Sequence, residues 1–342
     1  MPRPVRKRNR TSVLFRAVRL GLRLLASVSP NLAAALVERG FFTPPRSRPK
    51  AGEALLRRGR RFNVRSEGRR VVGWRLGTGP MVVLVHGWGG SSAQLALFVD
   101  PLLKRGFSVV AFDAPGHGRS ARGLSSAPEF ARALRAVAGA ECHAIVAHSL
   151  GAAAAALALR DGLLARRVVL VNPVADPPRW ARALLSRLDL PADVSERVRA
   201  RSERRIGVAW DEIHVPALVG AMTAKALVFH DRDDRQVPIA DGEAIVAAWP
   251  GAALVETSGL GHNRGLSDPG LVARATAFLT EGPEVCACGA WPTSAGRCEA
   301  CLLEAELFHP DRRWGGEASP PSGFSGATMG ADVGGESRVE AS

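Results

Sequence analysis

The chain has 342 residues, of which 46% are hydrophobic and 23% charged. That composition fits a globular protein with one large core and appendages. The net charge of +14 sits entirely in residues 1–61, which hold 16 Lys or Arg against 2 Asp or Glu, while the rest of the chain holds 30 of each. A neutral body excludes a general nucleic-acid binder, and no apolar run reaches the ~18 residues of a membrane-spanning helix.

Residues 1–60 read as a basic tail, an amphipathic helix and a linker. Thr11 or Ser12 can cap a helix running through Ala26. On it Arg16, Arg19 and Arg23 share one face, with Leu14, Val18, Leu22 and Leu25 opposite. Pro30 ends this helix, and Asn31 can cap a second one ending near Gly40. Two readings stand for the first helix: it packs on the main domain, or it makes peripheral contact with a membrane surface. The arginines that interrupt residues 13–28 argue against a signal peptide. An intracellular, cytoplasmic protein is therefore expected, with contact at the inner membrane surface as the second reading.

The regular domain is expected over residues 61–281. Residues 61–66 and 70–76 flank Ser66-Glu67-Gly68 as a hairpin. Apolar runs of strand length follow at 81–85, 108–112, 142–147, 167–171, 226–230 and 252–257. Helix-like segments at 93–105, 127–138, 150–160, 242–248 and 269–280 alternate with them. Apolar strands alternating with helices predict an α/β fold, a mostly parallel sheet flanked by helices. Residues 172–224 break the rhythm, with helical patterns at 179–188 and 192–205 and no clear strand. They are expected as a helical cap over the C-terminal edge of the sheet.

Open parallel sheets bind ligands beyond the C-terminal ends of their strands. His86-Gly87-Trp88-Gly89-Gly90 follows the first parallel strand, and Asp113 to Ser120 follows the second. Ser149 follows 142–147 within Ala147-His148-Ser149-Leu150-Gly151, close to the G-x-S-x-G pattern that puts a serine on a tight strand-to-helix turn. Asp231, Asp233 and Asp234 follow 226–230, and His262 follows 252–257. A serine, a carboxylate and a histidine thus lie at strand ends in the order Ser…Asp…His.

Over residues 61–281 the chain resembles the α/β-hydrolase fold superfamily of the serine hydrolase type. Serine needs a base within hydrogen-bond reach to act as a nucleophile, imidazole can serve, and a carboxylate must hold the imidazole's tautomer. The resemblance implies Ser149 as nucleophile, His262 as base and Asp234 of D-x-x-V-P as the carboxylate, with Asp231 the serious rival and Asp233 a weaker one. It also implies an oxyanion hole from the backbone N–H groups of Leu150 and Trp88, donors worth about 2.7–4 kcal/mol each. Asp113, His117 and His86 are implied as scaffold; His148 fits a pocket or a packing role. His143, His214 and His230 carry no motif.

The expected activity is hydrolysis of a carboxylic ester or related acyl bond in a small-molecule substrate, with no catalytic cofactor. Acyltransferases and C–C bond hydrolases use the same three residues. The other alternative is a scaffold acting through its basic N-terminus and its cysteines. Trp180, Leu184, Leu185, Leu188 and Trp210 are expected to line an acyl pocket under the cap. The arginines of the cap could meet an acidic substrate or simply be solvated.

Four cysteines crowd together as C-x-C-x₉-C-x₂-C: Cys286, Cys288, Cys298 and Cys301. In a reducing compartment two close pairs suit a tetrahedral structural zinc. Residues 282–314 are thus read as a zinc knuckle, similar to small zinc ribbons, that offers a surface to a protein partner; free or redox-active thiols are the alternative. Residues 315–342, rich in Gly, Ser and Pro, are expected to be disordered.

Overall fold

The computed structural model describes residues 10–45 and 52–280. The four clustered cysteines and the tail after them lie outside the described residues. Two helices open the chain, α1 (Arg10–Val28) and α2 (Pro30–Phe42), followed by a single turn, α3 (Glu53–Leu56). Then come β1 (Arg60–Ser66), β2 (Arg69–Leu76), β3 (Met81–Val85), α4 (Val99–Lys104), β4 (Ser108–Asp113), α5 (Ala127–Ala138), β5 (Glu141–His148), α6 (Leu150–Arg160) and β6 (Leu164–Val171). The cap holds α7 (Pro178–Leu188), α8 (Ala192–Ile206) and α9 (Val215–Val219). The chain then returns through β7 (Lys225–Asp231), α10 (Ile239–Ala248), β8 (Ala252–Thr257), α11 (Gly261–Arg264) and α12 (Pro269–Thr280).

The eight strands form one sheet in the order β1-β2-β4-β3-β5-β6-β7-β8. The β1–β2 hairpin joins β4 antiparallel, and β4 through β8 run parallel. Alternate residues of each strand point to opposite faces, which explains why the parallel strands are apolar throughout. Val83, Val85, Ile145, Ala147, Val168 and Leu170 meet α5 and α6 on one face. Val82, Leu84, Ala144, Val146, Val169 and Val171 meet α4 and α12 on the other. The alanines of α6 are buried from Ala152 to Ala158 apart from Leu157, itself buried, so the helix lies close on the sheet.

The helix expected at 93–105 divides into a 3₁₀ turn, Ser92–Phe98, and α4. Pro101 accounts for the break, since its ring clashes with the carbonyl four residues back and it has no N–H to continue the ladder. Pro30 does more than end α1. It occupies the first turn of α2, where its missing N–H costs nothing, so Ser29 rather than Asn31 takes the capping position.

The N-terminal pair packs on the cap. Glu38, buried in α2, accepts from Arg201 and Arg205 of α8 at 3.1 Å each. The Arg205 guanidinium lies 4.5 Å from the centre of the Phe42 ring, and Arg23 of α1 pairs with Asp189 at 2.8 Å. Among the described residues no helix is long and apolar enough to cross a membrane.

Candidate active site

Ser149 joins β5 to α6 with φ +53°, ψ −119°, a left-handed conformation that costs a residue with a Cβ about 1–3 kcal/mol. Small neighbours make that turn feasible. A Cβ on Gly151 would sit 2.7 Å from the carbonyl oxygens of Val85 and His86, and one on Gly87 would sit 2.9 Å from His148 Nδ1 and 3.0 Å from Ser149 Cβ. Ala147, where the pattern has Gly, is fully buried and fits in the core.

The turn presents Ser149 Oγ 3.0 Å from His262 Nε2. His262 Nδ1 lies 2.6 Å from Asp234 Oδ2. Asp234 Oδ1 accepts the N–H groups of Gln236 (2.8 Å) and Val237 (3.0 Å), so the carboxylate is fixed before it meets the imidazole. Burial pushes the Asp234 carboxyl up, but the His262 bond and these amides outweigh it and hold it below the usual range. With a carboxylate on Nδ1–H, Nε2 is left to accept the serine proton.

Asp231, the rival, does not touch the imidazole. Its Oδ1 accepts from the N–H groups of Gly261 (2.9 Å) and Asp233 (3.0 Å). Its Oδ2 accepts from the Leu260 N–H (3.0 Å) and the Thr257 hydroxyl (2.8 Å). It shapes the loop that carries His262. Asp233 also reaches that loop, accepting the Gly259 N–H at 2.7 Å.

Two further residues hold the loop. Asn172, at the end of β6, donates Nδ2–H to the carbonyls of Gly261 (3.0 Å) and His262 (2.9 Å) and accepts the Asp231 N–H (2.9 Å). His148 donates from Nε2 to the His262 carbonyl at 2.9 Å. Burial, with His262 adding to it, lowers the His148 pKa to about 3, so the ring is a neutral prop. Asn172 is absent from the sequence-based set. Its signal was its place directly after a strand, where every other site residue also sits.

The turn after β3 is built from buried neutral histidines. His86 donates from Nδ1 to the Gly87 carbonyl (2.7 Å) and accepts the Ala114 N–H (3.0 Å). His117 donates from Nδ1 to the Pro115 carbonyl and accepts the Gly89 N–H, both at 3.0 Å. Burial pulls their pKa values down to about 4 and about 3. Asp113 accepts from the backbone and hydroxyl of Ser92 and from the Arg119 N–H, tying the next turn. The amides after Trp88 are spent, Gly89 on His117 and Gly90 on the Gly87 carbonyl at 3.1 Å. Leu150 opens α6, where an N–H has no partner within the helix. Trp88 and Leu150 both line the cavity over Ser149.

That cavity measures about 340 Å³. Trp180 and Trp210 line it as expected, but Leu184, Leu185 and Leu188 do not. Those leucines lie on the side of α7 that packs into the core. In their place stand Phe41 and Phe42 of α2, Ile206 of α8 and Ile213. Among the described residues, no Arg, Lys, Asp or Glu lines the cavity. Five of the cap arginines are engaged elsewhere: Arg179 forms a two-pronged pair with Asp241 (2.9 and 2.8 Å), Arg182 and Arg199 meet Asp211, and Arg201 and Arg205 meet Glu38.

Comparison with known proteins agrees with this architecture. No curated protein sequence shows significant similarity to the chain. Many solved structures share the fold. A bromoperoxidase from Bacillus anthracis is 18% identical, with 65% of this chain and 100% of that one covered and a TM-score of 0.51. The 2-hydroxy-6-oxo-6-phenylhexa-2,4-dienoate hydrolase from Rhodococcus sp. strain RHA1 is 20% identical, with coverages of 66% and 99% and a TM-score of 0.51. An esterase from Exiguobacterium antarcticum is 14% identical, with coverages of 64% and 99% and a TM-score of 0.51. At such identities the likeness speaks for the fold alone. The model of the alpha/beta hydrolase family matches residues 82–275, more than half of the sequence, and the chain belongs to that family.

Proposed function

We propose that the protein is a serine hydrolase that cleaves a carboxylic ester, or a related acyl bond, with an apolar acyl group. The observation that carries this reading is one line of contacts, Asp234 to His262 at 2.6 Å and His262 to Ser149 at 3.0 Å, opening into a largely apolar cavity.

The chemistry follows from that line. Ser149 Oγ attacks the acyl carbon while its proton passes to His262 Nε2. Asp234 stabilises the imidazolium. The carbonyl oxygen becomes an oxyanion facing the N–H groups of Trp88 and Leu150. When the carbon–oxygen bond to the leaving alcohol breaks, that oxygen takes the proton from Nε2 and an acyl-Ser149 ester remains. Water then attacks the ester, gives its proton to Nε2, and the acid leaves as the proton returns to Ser149 Oγ. The cavity walls suit an acyl chain because each buried methylene contributes about 0.8 kcal/mol, and among the described residues none that lines it carries a charge to meet a carboxylate.

The test is a fluorophosphonate probe together with nitrophenyl esters of graded acyl length. Stoichiometric labelling and turnover, both abolished in Ser149→Ala, are expected. Intact, folded protein that takes no label and cleaves no ester would favour the scaffold reading instead.

A further inference from the structure

Among the described residues, nothing covers the apolar outer face of the N-terminal helix pair. Of the eleven large apolar side chains exposed among the described residues, seven lie in α1 and α2: Leu14, Val18, Leu20, Leu24, Val28, Leu32 and Leu36. Leu20, Leu24 and Val28 are 60, 62 and 84% exposed and recur every four residues, so they share one helix face. This is not the side on which α1 packs. Phe15, Leu22, Leu25 and Ala26 face the core, Arg187 stacks on Phe15 at 5.3 Å, and Arg23 is held by Asp189. The helix is therefore apolar on two sides, and only one of them is buried.

Charge identifies the occupant of the other side. Residues 1–37 carry eight Lys or Arg and no Asp or Glu. The first acidic residue, Glu38, is buried between two arginines of α8 and offers nothing outward. A second copy of the chain would bring the same positive charge against this face. A bilayer containing anionic lipid supplies both an apolar layer for the leucines and negative charge for the arginines. We propose that the outer face of α1 and α2 docks in the plane of an anionic lipid surface. The pair ends in Phe41 and Phe42, which form part of the cavity wall, so one element joins the docking face to the pocket.

The proposal does not depend on the catalytic reading and is tested without activity. The full chain is sedimented with phosphatidylcholine vesicles with and without phosphatidylglycerol, beside a Leu20→Gln/Leu24→Gln/Val28→Gln variant and, separately, Leu14→Gln/Val18→Gln. These positions are exposed, so both variants should melt like the parent. The parent should bind the anionic vesicles, more weakly at high salt, and each variant should lose at least about tenfold in affinity. A parent that ignores anionic vesicles overturns the proposal. So do variants that bind as well as the parent, which would leave the basic tail as the sole anchor. Light scattering supplies the remaining arm: a dimer that the triple variant dissociates would make this face a self-association surface and overturn lipid docking.

Discussion

Replacing Asp231 with Asn separates the two carboxylates at the end of β7. Asp231 is 1% exposed and accepts four hydrogen bonds, two on each oxygen, as many as a carboxylate can take. Burial pushes its carboxyl up, but the donors of Gly261, Thr257, Leu260 and Asp233 prevail and hold it below the usual range. An amide keeps one acceptor oxygen and turns an NH₂ group toward two donors. Two bonds to a charged group are lost, each worth about 1.5–3 kcal/mol, so a loss of about 3–6 kcal/mol is expected against a total stability on the order of 5–15 kcal/mol. Asp234→Asn should behave differently. Its Oδ1 can still accept from Gln236 and Val237, so stability should fall by no more than about 2 kcal/mol. Its new amide donor would face His262 Nδ1 and force the proton onto Nε2, lowering kcat by about 10⁴. The assay is a denaturant midpoint and an ester kcat for each variant. A stable Asp231→Asn with abolished turnover, beside an active Asp234→Asn, would refute the assignment and make Asp231 the partner of the imidazole.

Stability should fall as the pH drops below neutral, through three buried histidines. His86, His117 and His148 are held at about 4, 3 and 3, mainly by burial. Lowered values mean that the unfolded chain takes the protons first. The stabilisation is complete above about pH 6.5 and is lost as pH falls toward 3–4, about 2 kcal/mol per histidine at pH 5. Equal urea midpoints at pH 7 and pH 5 would contradict this. Gly151→Ala would press a methyl group against two backbone oxygens at 2.7 Å, so the elbow must shift. We expect about 1–3 kcal/mol of lost stability in a thermal melt and a larger fall in fluorophosphonate labelling rate than the melt alone explains. Zinc at Cys286, Cys288, Cys298 and Cys301 predicts one metal per chain by elemental analysis and its loss in Cys298→Ser, and metal-free parent protein would end that reading.

Much of the site was legible because strand ends are legible. Apolar runs of five or six residues mark the parallel strands, and the polar residues that follow each run fall on the ligand-binding edge. Ser149, His262 and the Asp231–Asp234 cluster come from that rule, and the structure brings Ser149, His262 and Asp234 into one line. What the rule cannot do is divide labour within a cluster. Asp231 and Asp234 are three residues apart, and only the turn between them decides which one faces the imidazole. Asn172 obeys the same rule at the end of β6, but in sequence it reads only as the first residue of the cap. The pocket was the least legible part. Leu184, Leu185 and Leu188 and the aromatic pair Phe41 and Phe42 are equally apolar in sequence, and helix rotation alone sends the first group into the core and the second to the cavity.

The position of Phe41 and Phe42 changes what the N-terminal segment is for. A packed appendage needs only a buried face, and a surface anchor needs only an exposed one. This helix pair has both, and its last turn lines the cavity above Ser149. Glu38 ties that turn to α8 through two arginines, one of which also covers Phe42. Removing Glu38 would take away the carboxylate that both arginines share, although Arg205 keeps its pair with Glu129 at 2.9 Å. The cap and the N-terminal pair therefore hold the cavity wall jointly, Phe41 and Phe42 of α2 standing in it beside Ile206 of α8. A chain lacking residues 1–45 would keep the sheet with Ser149, Asp234 and His262 but lose Phe41 and Phe42 from the wall, so on the proposed reading its selectivity among acyl lengths should fall more than its rate of labelling by a fluorophosphonate.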